Sequence, residues 1–167
     1  MARHDIRIFH QMEGGTAGYP LAAAQTFEAG EPVVAGAAGT LAECGDDPAV
    51  VTGISMGSSQ GKDGNGDDGT VPTGSLVPVY KPSSGQLFIT QQFATDGAGT
   101  SVAPTQANVA DTAGFTLDGN GDWFVDTGTA NLHVEVVAVL DGNGQPIGDS
   151  FSRAAGTGVS VVFGFLT

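Results

Sequence analysis

Cationic side chains are scarce in this chain. Its 167 residues carry 5 Lys plus Arg against 18 Asp plus Glu, a formal net charge of −13. Nucleic-acid recognition needs clustered Lys and Arg to neutralise phosphates, so that function class is disfavoured on charge alone. Cysteine is almost absent as well. The single Cys44 excludes an internal disulfide and a multi-cysteine metal knuckle. No apolar run approaches the roughly 20 residues that a membrane-spanning helix needs, so no membrane partner is expected. The opening MARHDIRIF is polar where a signal peptide requires an apolar stretch, which argues against export by that route.

Glycine is in excess, at 27 positions, against an average usage of about 7%. No triplet period accompanies it, so collagen is excluded. Hydrophobic residues make up 40% of the chain, enough for one core and too many for a disordered acidic tail. The length suits one domain, and the Gly, Val and Thr content does not suit a helical bundle.

Short β runs separated by glycine-rich turns are predicted at 6–9, 32–35, 40–43, 50–54, 75–80, 86–92, 115–117, 123–125, 132–140 and 159–166. Within 132–140, Leu132, Val134, Val136, Ala138 and Leu140 share one apolar face; the opposite face, His133, Glu135, Val137 and Val139, begins polar and is expected to end buried, as in a strand that runs from a rim into a two-layer core. The closing run sets Val159, Val161, Phe163 and Phe165 on one face, which predicts a central strand. Helix signals are weak. Tyr19–Thr26 leaves space for about one turn, and Pro104–Ala113 for another, with Thr105 as its cap. The expected fold is all-β: a compact antiparallel barrel or sandwich with an extended N-terminal arm and long glycine-rich loops. Residues 1–20 are expected to form the arm, outside the core, and residues 21–167 a single β domain. The stretch 58–73 (SSQGKDGNGDDGTVPT) reads as a mobile surface loop.

The element DGNG occurs at 63–66, 118–121 and 141–144. Two copies extend to D-x-N-x-D (Asp63, Asn65, Asp67 and Asp118, Asn120, Asp122), a spacing that opens calcium loops. An EF-hand also needs Gly at position six and Glu at position twelve. Here those positions hold Asp68 and Gly74 in one copy, Trp123 and Thr129 in the other. Tight turns using the positive φ of Asn-Gly and Asp-Gly are the favoured reading. The histidines at 4, 10 and 133 form no metal motif. Gly53-Ile54-Ser55-Met56-Gly57 matches the esterase G-x-S-x-G in letters, but a polar glycine-rich loop follows it where a helix is required. Cys44 lies beside Asp46 and Asp47, which oppose thiolate formation. No catalytic residue, metal ligand or cofactor is predicted, and an enzyme is not expected.

One order of segments is more specific. Phe27-Glu28-Ala29-Gly30-Glu31-Pro32-Val33-Val34 is followed by Leu41-Ala42-Glu43, Asp47-Pro48, Val51-Thr52-Gly53-Ile54-Ser55 and Val77-Pro78-Val79-Tyr80. The second half continues with Ala103–Val109, Phe115-Thr116-Leu117, Gly121–Thr127 and the two long closing strands. Over residues 26–166, in fragments, this order resembles the head decoration (capsid cement) proteins of tailed bacteriophages. The 58–73 loop is longer than that pattern requires. The resemblance implies a non-enzymatic, commonly trimeric β domain on the virion exterior, partnered by the major capsid protein. An extended arm can add a strand to an exposed sheet edge. Ile6, Ile8 and Phe9 are then the expected apolar anchors, and Arg3 and Arg7 the cations that meet acidic groups on the shell. Trp123 is expected in the core or at an oligomer contact. The alternative is a calcium-assisted carbohydrate- or surface-binding β module, a fibre or adhesin fragment that uses the DGNG loops.

Overall fold

The computed structural model describes residues 6–10, 15–62, 68–82, 85–147 and 158–166. The fold is all-β, with mostly antiparallel pairing. In chain order the described strands are β1 (Arg7–His10), β2 (Thr16–Pro20), β3 (Pro32–Ala35), β4 (Leu41–Glu43), β5 (Gly53–Ser55), β6 (Gln60–Lys62) and β7 (Asp68–Thr70). They continue as β8 (Leu76–Tyr80), β9 (Leu87–Thr90), β10 (Phe93–Ala94), β11 (Thr112–Leu117), β12 (Trp123–Asp126), β13 (Val134–Leu140) and β14 (Ser160–Phe165). The only described helical element is a 3-10 turn at Gln106–Asn108, where the Thr105 N–H donates to Asn108 Oδ1 at 2.9 Å.

Two compact units divide the chain. One comprises Gly14–Cys44 and Val50–Lys81. Its five-stranded sheet runs β2-β8-β5-β3-β4. A parallel bridge from Leu21 to Leu41 draws its outer strands together at one point, short of a closed barrel. Leu21, Phe27, Val33, Leu41, Val77 and Val79 form its core, and Tyr19 and Val71 pack against them. Pro20 is tolerated because β2 is an edge strand, paired only with β8 among the described residues. Strands β6 and β7 pair antiparallel within the stretch expected to be a mobile surface loop, with Gln60 opposite Thr70. Residues 63–67, which include the first DGNG, lie outside the described residues.

The other unit comprises Met1–Glu13, Gly45–Ala49 and Pro82–Thr167. Its seven-stranded sheet runs β1-β9-β14-β13-β11-β12-β10. Strand β14 is central, flanked by β9 and β13, as its two apolar faces predict. Phe88 stacks on Phe163 with ring centroids 5.6 Å apart, and Phe115 and Phe165 close the cluster edge-on or tilted at about 6 Å. Each such pair contributes ~1 kcal/mol beyond its buried area.

Strand β13 departs from simple alternation. Its register against β14 shifts between Val136 and Ala138. The inserted residue, Val137, is 45% exposed, after which Val139 and Leu140 are both buried. An unpaired extra residue changes the face on which the following side chains lie, so Val139 is buried, as expected of the far end of its face, while Val137 on the same face is exposed.

Candidate functional site

Strand β1 forms one edge of the seven-stranded sheet. Arg7 lies opposite Ile89 and Ile8 opposite Phe88, and the register then shifts before His10. Among the described residues no strand pairs with the outer side of β1, the position in a sheet at which a further strand can add. Arg7 is exposed, and Phe9 is 52% exposed. Ile6, by contrast, is only 5% exposed. Within the segment expected to stand outside the core, Arg7–His10 form an edge strand of this sheet, Thr16–Pro20 form β2 of the other unit, and Ile6 is a core residue instead of an outward anchor. Arg3 and the side chain of Ile8 lie outside the described residues.

Trp123, expected in the core or at an oligomer contact, is 4% exposed in the single chain and sits opposite Leu117 in the β11–β12 hairpin. So little free surface leaves it nothing to offer a second copy, and it belongs to the core.

The two described DGNG copies make the same turn. Asp118 Oδ1 accepts the N–H groups of Asn120 at 2.8 Å and Asp122 at 2.9 Å. Asp141 Oδ1 accepts those of Asn143 at 2.8 Å and Gln145 at 3.0 Å. The closing glycines, Gly121 and Gly144, have φ of 87° and 76°, values that favour glycine. Burial pushes the Asp118 carboxyl up, but hydrogen bonds from Asp122, Asn120 and Gly121 outweigh it and hold the group below the usual carboxylate range. These carboxylates fasten turns. Among the described residues no group of three or more His, Cys, Asp or Glu side chains converges to hold a metal.

The esterase-like motif resolves into sheet packing. Ser55 is buried in β5, and its hydroxyl donates to the Gly57 carbonyl and accepts the Gly57 N–H at 3.3 Å. Among the described residues no α-helix follows it. Cys44 is likewise buried, and burial together with the Glu31 charge pushes its thiol up to about 12. The direction matches the expectation, but the neighbour responsible is Glu31 and not the adjacent aspartates.

Asp46 and Asp47 perform a different task, which spacing along the sequence did not reveal. Asp46 Oδ1 accepts the Leu117 N–H at 3.0 Å, and Asp47 Oδ1 accepts the Asn131 N–H at 3.1 Å. The Asn131 side chain donates to the Asp47 carbonyl at 2.9 Å. His133 Nε2 lies 2.6 Å from the Pro48 carbonyl; because a carbonyl only accepts, that nitrogen carries the proton. The His133 ring also stacks on Phe115. The Gly45–Ala49 segment is thus strapped onto the ends of β11 and β13 by partners more than seventy residues away in the chain. Asp46-Asp47-Pro48 and His133 form a structural clasp.

No protein-family model, curated protein or solved structure matches this chain.

Proposed function

We propose that this chain is a structural protein of a tailed-phage virion that binds the outside of the icosahedral head and stabilises it by bridging neighbouring copies of the major capsid protein. The observation that carries this reading is the edge position of β1, an exposed strand bearing Arg7 and Phe9 whose outer side meets no other strand among the described residues. An extended capsid segment adds to such an edge through main-chain bonds, and the side chains set its register. The order of segments shared with decoration proteins and the all-β fold support the same reading. A homotrimer is its natural assembly, because several copies attached to a symmetric lattice need little energy apiece. In this reading no bond is made or broken, no cofactor takes part, and the net charge of −13 keeps an abundant surface protein soluble.

The test is addition of purified protein to expanded heads that lack it, followed by co-sedimentation and heating. Saturable binding with a raised disruption temperature is expected. Failure to bind, with unchanged disruption, would refute the proposal. Calcium calorimetry covers the surface-binding alternative. A stoichiometric heat that is lost in an Asp118→Ala, Asp122→Ala variant would favour that module instead.

A further inference from the structure

The DGNG turns contain asparagine followed by glycine, the pairing in which an unhindered main-chain nitrogen lies next to a carboxamide. We infer that Asn143 is a self-modification site, converted to isoaspartate and aspartate in the folded protein, while Asn120 in the same motif is protected by Asp118. This inference is independent of the proposed function.

The reaction needs only water. The Gly144 nitrogen gives up its proton to solvent base and attacks Asn143 Cγ. The new N–Cγ bond closes a five-membered imide as the Cγ–Nδ2 bond breaks, and the nitrogen departs as ammonia. Water then opens one of the two imide bonds, leaving aspartate or, with the main chain rerouted through Cβ and Cγ, isoaspartate. Nothing is oxidised or reduced.

The local sequence predicts equal rates at the two sites, since glycine follows both asparagines. The structure separates them. Both asparagines are exposed, and a Cβ built at either glycine would meet nothing within 4 Å. Asn120 Nδ2, however, donates to Asp118 Oδ2 at 3.0 Å. Swinging its Cγ over the Gly121 nitrogen breaks that charge-assisted bond. The Asn143 carboxamide makes no hydrogen bond among the described residues, so its rotation carries no such cost.

The surroundings act in the same direction. The Asn120 turn closes the β11–β12 hairpin, which is paired from Leu117–Trp123 through Gly114–Asp126. The Asn143 turn is closed by the Asp141 N–H to Gln145 carbonyl bond at 2.8 Å, matched by Asp118 to Asp122 at 3.0 Å in the other turn, but beyond it has only an isolated Leu140–Pro146 bridge and the Ile147 N–H to Val139 carbonyl bond. The Gly144 N–H bond to Asp141 is shorter than its Gly121 counterpart, 2.8 against 3.2 Å, and works the other way. Both bonds break when a turn opens to react, so the carboxamide bond and the hairpin decide the order. A hydrogen bond to a charged group makes Asn120 roughly ten- to a hundredfold slower.

The experiment is incubation of the intact chain in mildly alkaline buffer, with chymotryptic peptide mapping by mass spectrometry over time. Cleavage after Trp123 and Leu140 separates the two sites, and fragmentation distinguishes isoaspartate from aspartate. Asn143 should convert first, and the gap should close when the same protein is incubated unfolded in denaturant. Asp118→Ser keeps a turn-capping oxygen but removes the second acceptor, and should bring Asn120 toward the Asn143 rate. Native Asn120 converting as fast as Asn143, or a rate gap that persists in denaturant, would overturn the inference whether or not the variant folds.

Discussion

A methyl group added at Gly53 would lie 2.1 Å from the Tyr80 carbonyl oxygen and 2.8 Å from Val79 Cγ1. Strand β5 pairs with β8 at this point, so neither neighbour can retreat without opening the sheet. Gly53→Ala is therefore expected to cost about 2–4 kcal/mol in urea denaturation. A loss under ~0.5 kcal/mol would show that the strand can shift to accommodate it. Glu31 lies in the same unit. Burial, with further repulsion from Glu28 and Glu43, raises its carboxyl from 4.5 to about 7. Between those values the folded chain holds a proton that the unfolded chain has released. Stability therefore falls as pH rises through the window and levels off above about 7, by up to roughly 3 kcal/mol. Glu31→Gln removes this term. Its denaturation midpoint should change less than that of the original chain between pH 5 and 8, in the window set by Glu31, and parallel curves would refute the assignment. Neither effect is legible in sequence. The letters GISMG do not show that the Tyr80 carbonyl lies beside Gly53, and nothing in the sequence around Glu31 marks its side chain for burial.

Elements were more legible than their partners. The apolar runs at β3, β8 and β14 are visible because the burial demanded of each strand is written in its own side chains. Strand β2 was not, since Gly18 and Pro20 weaken any strand pattern and only pairing with β8 makes the segment extended. The bulge at Val137 is hidden for a related reason: residues 136–140 are all apolar, so the sequence carries no mark of a register shift, which exists only relative to β14. Strand β1 was recognised, but its attachment to β9 was not, because four residues do not specify a neighbour. That attachment separates two side chains that sequence alone treats alike. Ile6→Ala should cost about 1–3 kcal/mol, since a buried side chain is truncated. Phe9→Asp should leave the unfolding transition within ~0.5 kcal/mol, as exposed substitutions generally do, yet weaken attachment to heads severalfold. Equal stability losses for the two, by denaturation of each variant, would contradict the placement of Phe9 on the open side.

At the scale of the whole molecule, the all-β class followed directly from the glycine-punctuated runs. The clasp of Asp46, Asp47 and Pro48 on Leu117, Asn131 and His133 did not, because its partners meet only through folding. The most direct measurement is a cryo-electron-microscopy reconstruction of heads incubated with saturating protein. The account predicts exterior density for this β fold across adjacent capsid subunits, with the outer side of β1 against a capsid strand. Heads whose outer surface carries no added density would contradict it.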